Sequence, residues 1–262
     1  TAAFANANVL GLYLRAIVPL IIGFTLYYFI GLTKIIMFIV SILGTIGIAL
    51  TFSRGTALAL YISILFLSIL RRDKIISTLL LVILLILPFI TPKNIKDWAR
   101  GENYNPLAIM FNTDRISLYK NTLNMIKHHP VIGVGVNTFS KNYSKYKLPG
   151  PDYAKTADSM YAHNNFLHMA GEIGLLGLGA FLWLLFRLFK KCLYIYNRLK
   201  DDYLKIISVS LLACFVSFLV NGLTETSLYY SRVAMVFWYL VGFSLSLDKF
   251  TLPTRKGAEF SH

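Results

Sequence analysis

Long apolar blocks, each broken by only a few polar residues, govern what this chain can fold into. A backbone inside a bilayer must satisfy its own N–H and C=O groups, so a block of about 20 apolar residues folds as a spanning helix. Apolar residues make up 56% of the chain and the mean hydropathy is +0.61. The expected fold is all-α, a polytopic integral membrane protein forming a single membrane domain over 1–262. About seven transmembrane helices are expected, at roughly 9–31, 35–52, 56–70, 75–90, 165–189, 204–223 and 228–247, with a long, partly helical loop at 91–164. Pro19 lies inside the first span and Pro88 near the end of the fourth, where a kink or a stop is expected. Cys192 and Cys214 have neither a paired-thiol nor a metal-ligand spacing. The chain opens at Thr1 without a charged leader and cleavage site, and reads as the C-terminal part of a longer protein.

Orientation follows from the short connections. Lys34, Arg71-Arg72-Asp73-Lys74, the Lys190-Lys191 to Lys205 segment, and the tail with Lys249, Arg255 and Lys256 fall on one side if the spans alternate. That side is expected to be cytoplasmic. The other side receives the Ser53-Arg54-Gly55 turn, the 91–164 loop and the Thr224-Glu225-Thr226 connection. The net charge of +14 is largely accounted for by this topology and a basic outer loop. The bilayer is the expected partner, and nucleic acid is not.

The outer loop is too long to be a simple connector. Asn112-Thr113-Asp114 is placed to cap a helix whose Ile116, Tyr119, Leu123 and Ile126 recur at helical spacing, an amphipathic helix expected to lie on the membrane. The Gly-rich run from His129 to Phe139 lacks the strand and helix that a dinucleotide or phosphate loop requires. The Tyr143 to Tyr161 stretch, with Lys145, Lys147, Asp152 and Asp158, suits either a sugar or an interface-anchored loop.

Arg54 sits between Ser53 and Gly55 with apolar runs on both sides. It reads either as a snorkelling cation or as a planar fork for phosphate in a tight turn that frees backbone N–H groups. Arg115 opens the loop helix, where the macrodipole disfavours a cation and hints at an anionic partner, Asp114 or a ligand. His163 and Asn164 stand at the mouth of the fifth span, whose first N–H groups are expected to face the same pocket. Imidazole serves as a general base near neutral pH, although a lone His at a membrane edge is as readily structural. His168 and Glu172 are four apart and are expected to pair, while Gly171, Gly174 and Gly177 suit close helix packing. Arg15, Arg232 and Glu225 lie near the same face and read either as pocket residues or as interfacial anchors.

Taken together, these pieces resemble the O-antigen ligase and O-antigen polymerase superfamily of bacterial membrane glycosyltransferases. The resemblance rests on Asn8 and the run after it, Ser53-Arg54-Gly55, Asp114-Arg115-Ile-Ser-Leu-Tyr119, His129-Pro130 through Phe139, and His163-Asn164 followed by Gly174-Leu-Leu-Gly177. Any one piece is weak, and their order and spacing carry the specificity. The resemblance implies a multi-pass protein of the bacterial inner membrane with its active site facing the periplasm. It implies transfer of a glycan from undecaprenyl pyrophosphate to an acceptor hydroxyl with inversion, using no metal and no cofactor. Carried over, Arg54 and Arg115 bind the pyrophosphate and His163 deprotonates the acceptor. Asn164, Ser53, Gly55, His168 and Glu172 are supporting residues. Lipid A core is the acceptor expected first, with glycan polymerisation and transfer to protein as alternatives sharing the same donor chemistry. A transporter of lipid-linked glycan, with His168 and Glu172 as an ion relay, is the non-enzymatic alternative.

Overall fold

The computed structural model describes residues 7–90, 113–150 and 161–251. Helices account for nearly all the regular structure there. They are α1 (Ala7–Tyr27), α2 (Gly31–Ala49), α3 (Arg54–Leu70), α4 (Lys74–Ile90), α5 (Thr113–His128), α6 (Phe139–Tyr143), α7 (Asn165–Arg198), α8 (Asp202–Asn221) and α9 (Ser231–Ser246). Helices α1, α2, α7, α8 and α9, the last with the turn that follows it, are long and apolar enough to cross a membrane. The third and fourth expected spans form helices as well, but their apolar lengths fall below 18 residues. With the family assignment below, these helices make the chain a multi-pass membrane protein.

Burial shows how the bundle is built. α8 is enclosed by α1, α3, α7 and α9, and α2 lies against the outside of α1. The helix contacts are lined by small and hydroxylated residues: an added Cβ on Gly23 would meet Ser210, and one on Gly44 would meet Val18. Thr25 and Ser41 share a hydrogen bond of 3.2 Å between α1 and α2. The large side chains Ile35, Phe38, Ile39, Leu43 and Ile46 of α2 point outward. In lipid the apolar exterior costs nothing, so packing and buried hydroxyls hold the helices together.

Four expectations change. The fifth span runs to Arg198 rather than stopping near 189, because Arg187, Lys190, Lys191 and Arg198 continue the helix, each over a ring of its own helix one turn away. Gly174 is not simply a packing glycine: at φ 69° it interrupts α7, and Leu175 and Leu176 donate to the carbonyls of Pro130 and Val131 from the outer loop. The inward face of α5 is Leu118, Asn121, Thr122, Met125 and Ile126, while Leu123 points out. That face turns because Asn121 donates to the Tyr143 hydroxyl at 2.9 Å and accepts from the Leu148 N–H at 2.9 Å, so the buried amide decides the orientation. The helix is packed on α7 and α6. Tyr143 is itself buried and stacked on Phe139, which removes it as a sugar platform. Asn112, Asp152, Asp158, Arg255 and Lys256 lie outside the described residues.

Alternation of the helices gives the bundle two ends. One gathers Arg71, Arg72, Tyr196, Asn197 and Lys205 around a cavity of about 410 Å³. The other gathers the start of α3, the start of α5, the start of α7 and the α8–α9 connection.

Candidate functional site

The site is assembled on the α8–α9 connection, residues 222–230, which three consecutive residues before and at the start of α7 grip. His163 Nδ1 lies 3.1 Å from Glu225 Oε2. Asn164 Nδ2 donates to Leu223 O at 2.9 Å. Asn165 N donates to Gly222 O at 2.8 Å, its Nδ2 to Ser227 Oγ at 3.1 Å, and its Oδ1 accepts from Leu228 N at 3.2 Å.

From the other side α5 closes on the same connection. Arg115 Nη2 reaches Glu225 Oε1 at 2.6 Å and Nη1 donates to Thr224 O at 2.8 Å. One turn later, the Tyr119 hydroxyl sits 2.9 Å from His163 O and 3.3 Å from Leu223 O. Burial, more than the opposing Arg115 charge, raises the Tyr119 pKa and keeps the hydroxyl a donor. The anionic partner that the position of Arg115 hinted at is therefore Glu225, 110 residues away in sequence.

Glu225 is the hub. Its side chain is only 5% exposed, and each carboxylate oxygen meets a different partner. Burial alone would push its pKa up, but the hydrogen bond from His163 and the Arg115 charge hold it below the ordinary carboxylate range. His163 is more open, at 37% of its side chain. Its φ of 48° is left-handed, an unusual conformation for a residue with a side chain, and the surrounding bonds to residues 222–225 hold it there.

Arg54 is the first residue of α3, with Ser53 as its N-cap. Ser53 Oγ is 2.8 Å from Thr56 Oγ1 and does not cap the backbone. Gly55 lets this turn approach the hub: a Cβ there would stand 2.2 Å from Thr224 Oγ1. Arg54 itself is exposed.

The helix start at α7 differs from expectation. Asn164 Oδ1 accepts from Phe166 N and Leu167 N, both at 2.9 Å, so these groups are spent on capping rather than facing a pocket. Asn164 thereby ties the start of α7 to the α8–α9 connection at Leu223.

His168 and Glu172 pair as expected, at 3.5 Å, but in a sealed place. His168 Nδ1 accepts from Ala162 N at 3.1 Å, which puts its proton on Nε2 toward Glu172. Glu172 Oε1 also accepts from Phe139 N at 3.1 Å, and the ring of His168 stacks on Phe139 with centroids 4.4 Å apart. Val134 N and Gly135 N donate to Gly171 O and Glu172 O, each at 2.9 Å. The Gly-rich run thus docks on α7, and the His168–Glu172 pair lies at that docking.

Sequence reasoning left Glu225 open and missed Asn165. A carboxylate in a three-residue connection between apolar runs was the available signal for Glu225; the run His163-Asn164-Asn165 was the signal for Asn165.

Fold and site together define a helical membrane protein with a cation, a carboxylate and an imidazole joined at one end of the bundle. The family model described as O-antigen ligase matches residues 38–182, more than half of the chain, and the chain belongs to that family. This is a family of membrane glycosyltransferases, so the protein is an enzyme at that level, with lipid-linked glycan and acceptor as its substrate class. None of the curated proteins matches the chain. The matched region includes Arg54, Arg115 and His163 but neither Arg15 nor Glu225.

Proposed function

We propose that this protein is an inverting, metal-independent glycosyltransferase of the bacterial inner membrane, moving a glycan from undecaprenyl pyrophosphate to the lipid A core on the periplasmic side. The observation that carries the proposal is the bridge of Glu225 between His163 and Arg115. Glu225 accepts the Nδ1 proton of His163, which leaves Nε2 as the basic nitrogen at the open side of the ring. The acceptor hydroxyl gives its proton to Nε2 as its oxygen attacks the anomeric carbon. The bond from that carbon to the pyrophosphate oxygen breaks, and the leaving group departs from the opposite face.

Arg115 uses two bonds to Glu225 and Thr224, and the rest of its five-donor fork is left to grip phosphate oxygens. Arg54, presented at a helix start that Gly55 holds against Thr224, supplies the second cation. Both offset the charge that grows on the leaving pyrophosphate. The Glu225 carboxylate lies against the imidazolium that forms when the ring takes the proton.

Reconstitution with lipid-pyrophosphate-linked glycan, with and without lipid A core, tests this. Product that needs the core and disappears in His163→Ala supports the proposal. A growing ladder without the core assigns polymerisation instead, and transfer that survives in His163→Ala overturns the base assignment.

A further inference from the structure

The basic end of the bundle holds a cavity of about 410 Å³ that the proposed reaction does not use. Three elements build its walls. Ile69, Arg71 and Arg72 come from the close of α3 and the turn after it, Tyr196 and Asn197 from the last turns of α7, and Lys205 from the first turn of α8. The Tyr196 hydroxyl donates to Leu70 O at 3.1 Å and so joins two of these walls. The backbone N–H groups of Arg71, Arg72 and Asp73 are spent on the carbonyls of Leu67, Ile69 and Ser68. The turn therefore offers the cavity side chains rather than backbone donors.

Arg71, Arg72 and Lys205 line the cavity, and no carboxylate among the described residues does. The acidic side chains of this end are engaged elsewhere: Asp202 with Arg71 at 3.2 Å, Asp73 with Ile76 N at 3.0 Å and Asp201 with Leu204 N at 2.9 Å. Arg72 and Lys205 have no carboxylate partner among the described residues. Like charges gathered around one space repel, and an anion seated there relieves the repulsion. A planar guanidinium fork, an ammonium and the Asn197 amide, brought from three walls, match the several oxygens of a phosphate. The rim is apolar on the α3 side, where Ile69 is 54% exposed. An anion carrying an acyl chain fits both features at once.

We propose that this cavity binds the phosphate of an anionic phospholipid, with Arg72 and Lys205 as its principal ligands, Arg71 and Asn197 beside them, and the acyl chains passing Ile69 into the bilayer. Basic cavities between the ends of spanning helices suit such head groups, and the positively charged connections mark the side expected to face the cytoplasm. A bound head group bridges the α3–α4 turn and the start of α8, whose cations otherwise repel. The site is independent of the glycosyltransferase reading, because it lies at the other end of the bundle from His163 and Glu225.

Native mass spectrometry tests the site. The protein in detergent is titrated with phosphatidylglycerol, phosphatidylcholine and soluble glycerol phosphate, and bound molecules are counted. The wild type is expected to hold one phosphatidylglycerol about tenfold more tightly than phosphatidylcholine, and Arg72→Gln with Lys205→Gln to abolish that preference. Lys205→Gln alone weakens binding about fivefold, the worth of one cation near a membrane surface, and serves where the pair of substitutions lowers the unfolding midpoint. Lys190→Gln with Lys200→Gln removes the same charge outside the cavity and keeps the preference. Glycerol phosphate bound as tightly as phosphatidylglycerol supports the phosphate site with a solute as its source. Phosphatidylglycerol held equally by the wild type and the Arg72→Gln, Lys205→Gln protein overturns the proposal. Equal losses in the two doubly substituted proteins overturn it as well, because general charge attraction then accounts for the binding.

Discussion

The two ends of the bundle carry charge in opposite ways. At the basic end, the ion pairs Arg71–Asp202 and Lys191–Asp248 lie in the open, with Asp202 73% exposed and Asp248 40% exposed. At the other end, Glu225 is buried between Arg115 and His163. Solvated charges fix orientation and contribute little to stability individually, whereas enclosed ones must be compensated and are retained for what they do. The helix starts reinforce the contrast. Asp73 and Asp201 cap α4 and α8 at the basic end by short local bonds. At the site end His163, Asn164 and Asn165 are tied to a connection about 60 residues distant in sequence.

Substitutions break this comparison in order of size. His163→Ala is expected to reduce transfer by about 10²- to 10⁴-fold with little change in the folded bundle, measured as product formed per enzyme alongside the unfolding midpoint. Gly174→Ala and Gly133→Ala come next. Both glycines have left-handed φ, 69° and 68°, and a Cβ would approach Val131 O to 2.0 Å and the Glu172 backbone to 2.4 Å. Strain alone costs about 1–3 kcal/mol at such positions, and displacing the backbone adds to it. Each variant should unfold earlier in detergent and lose transfer by displacing the loop on α7.

Arg115→Lys sharpens the donor assignment. A lysine keeps the charge but cannot reach Glu225 and Thr224 with a fork, so the apparent KM for lipid-linked donor should rise more than turnover falls. A fall confined to turnover would argue against donor binding by this residue.

The pH response follows from Glu225. Its pKa is depressed in the folded protein, so its stabilisation is fully present above the ordinary value of about 4.3 and is lost as the pH falls through the lowered value. Unfolding midpoints should stay level from neutral pH to about 5 and drop below about 4, and Glu225→Gln should flatten that drop. The smallest effect belongs to the basic end: Asp202→Asn should change stability by well under about 1 kcal/mol and leave transfer unaltered.

Much of this architecture is legible in the sequence because lipid imposes a simple rule on apolar blocks. Each of the seven expected spans corresponds to a helix, with ends displaced where residues such as Lys190 and Lys191 continue a helix that hydropathy would end. Arg54 and His163 stand out because isolated polar residues beside apolar runs need a reason to be there, and Arg115 because the macrodipole disfavours a cation at a helix start. Glu225 could not be singled out, since its meaning lies in two partners 62 and 110 residues away. The orientation of α5 was hidden for a related reason. Asn121 looks solvent-facing until the bonds to Tyr143 and Leu148 are seen, and hydrophobic periodicity does not register a buried amide that is fully engaged.

The measurement that tests the central claim most directly separates donor binding from chemistry in His163→Ala. Wild type and variant are placed in lipid nanodiscs with labelled lipid-pyrophosphate-linked glycan and acceptor, and bound donor and transferred glycan are followed in a single turnover. The predicted result is donor bound about as tightly as by the wild type, with transfer slowed by at least about a hundredfold. Transfer at the wild-type rate, or a loss explained wholly by failure to bind donor, would contradict the assignment of His163 as the base held by Glu225.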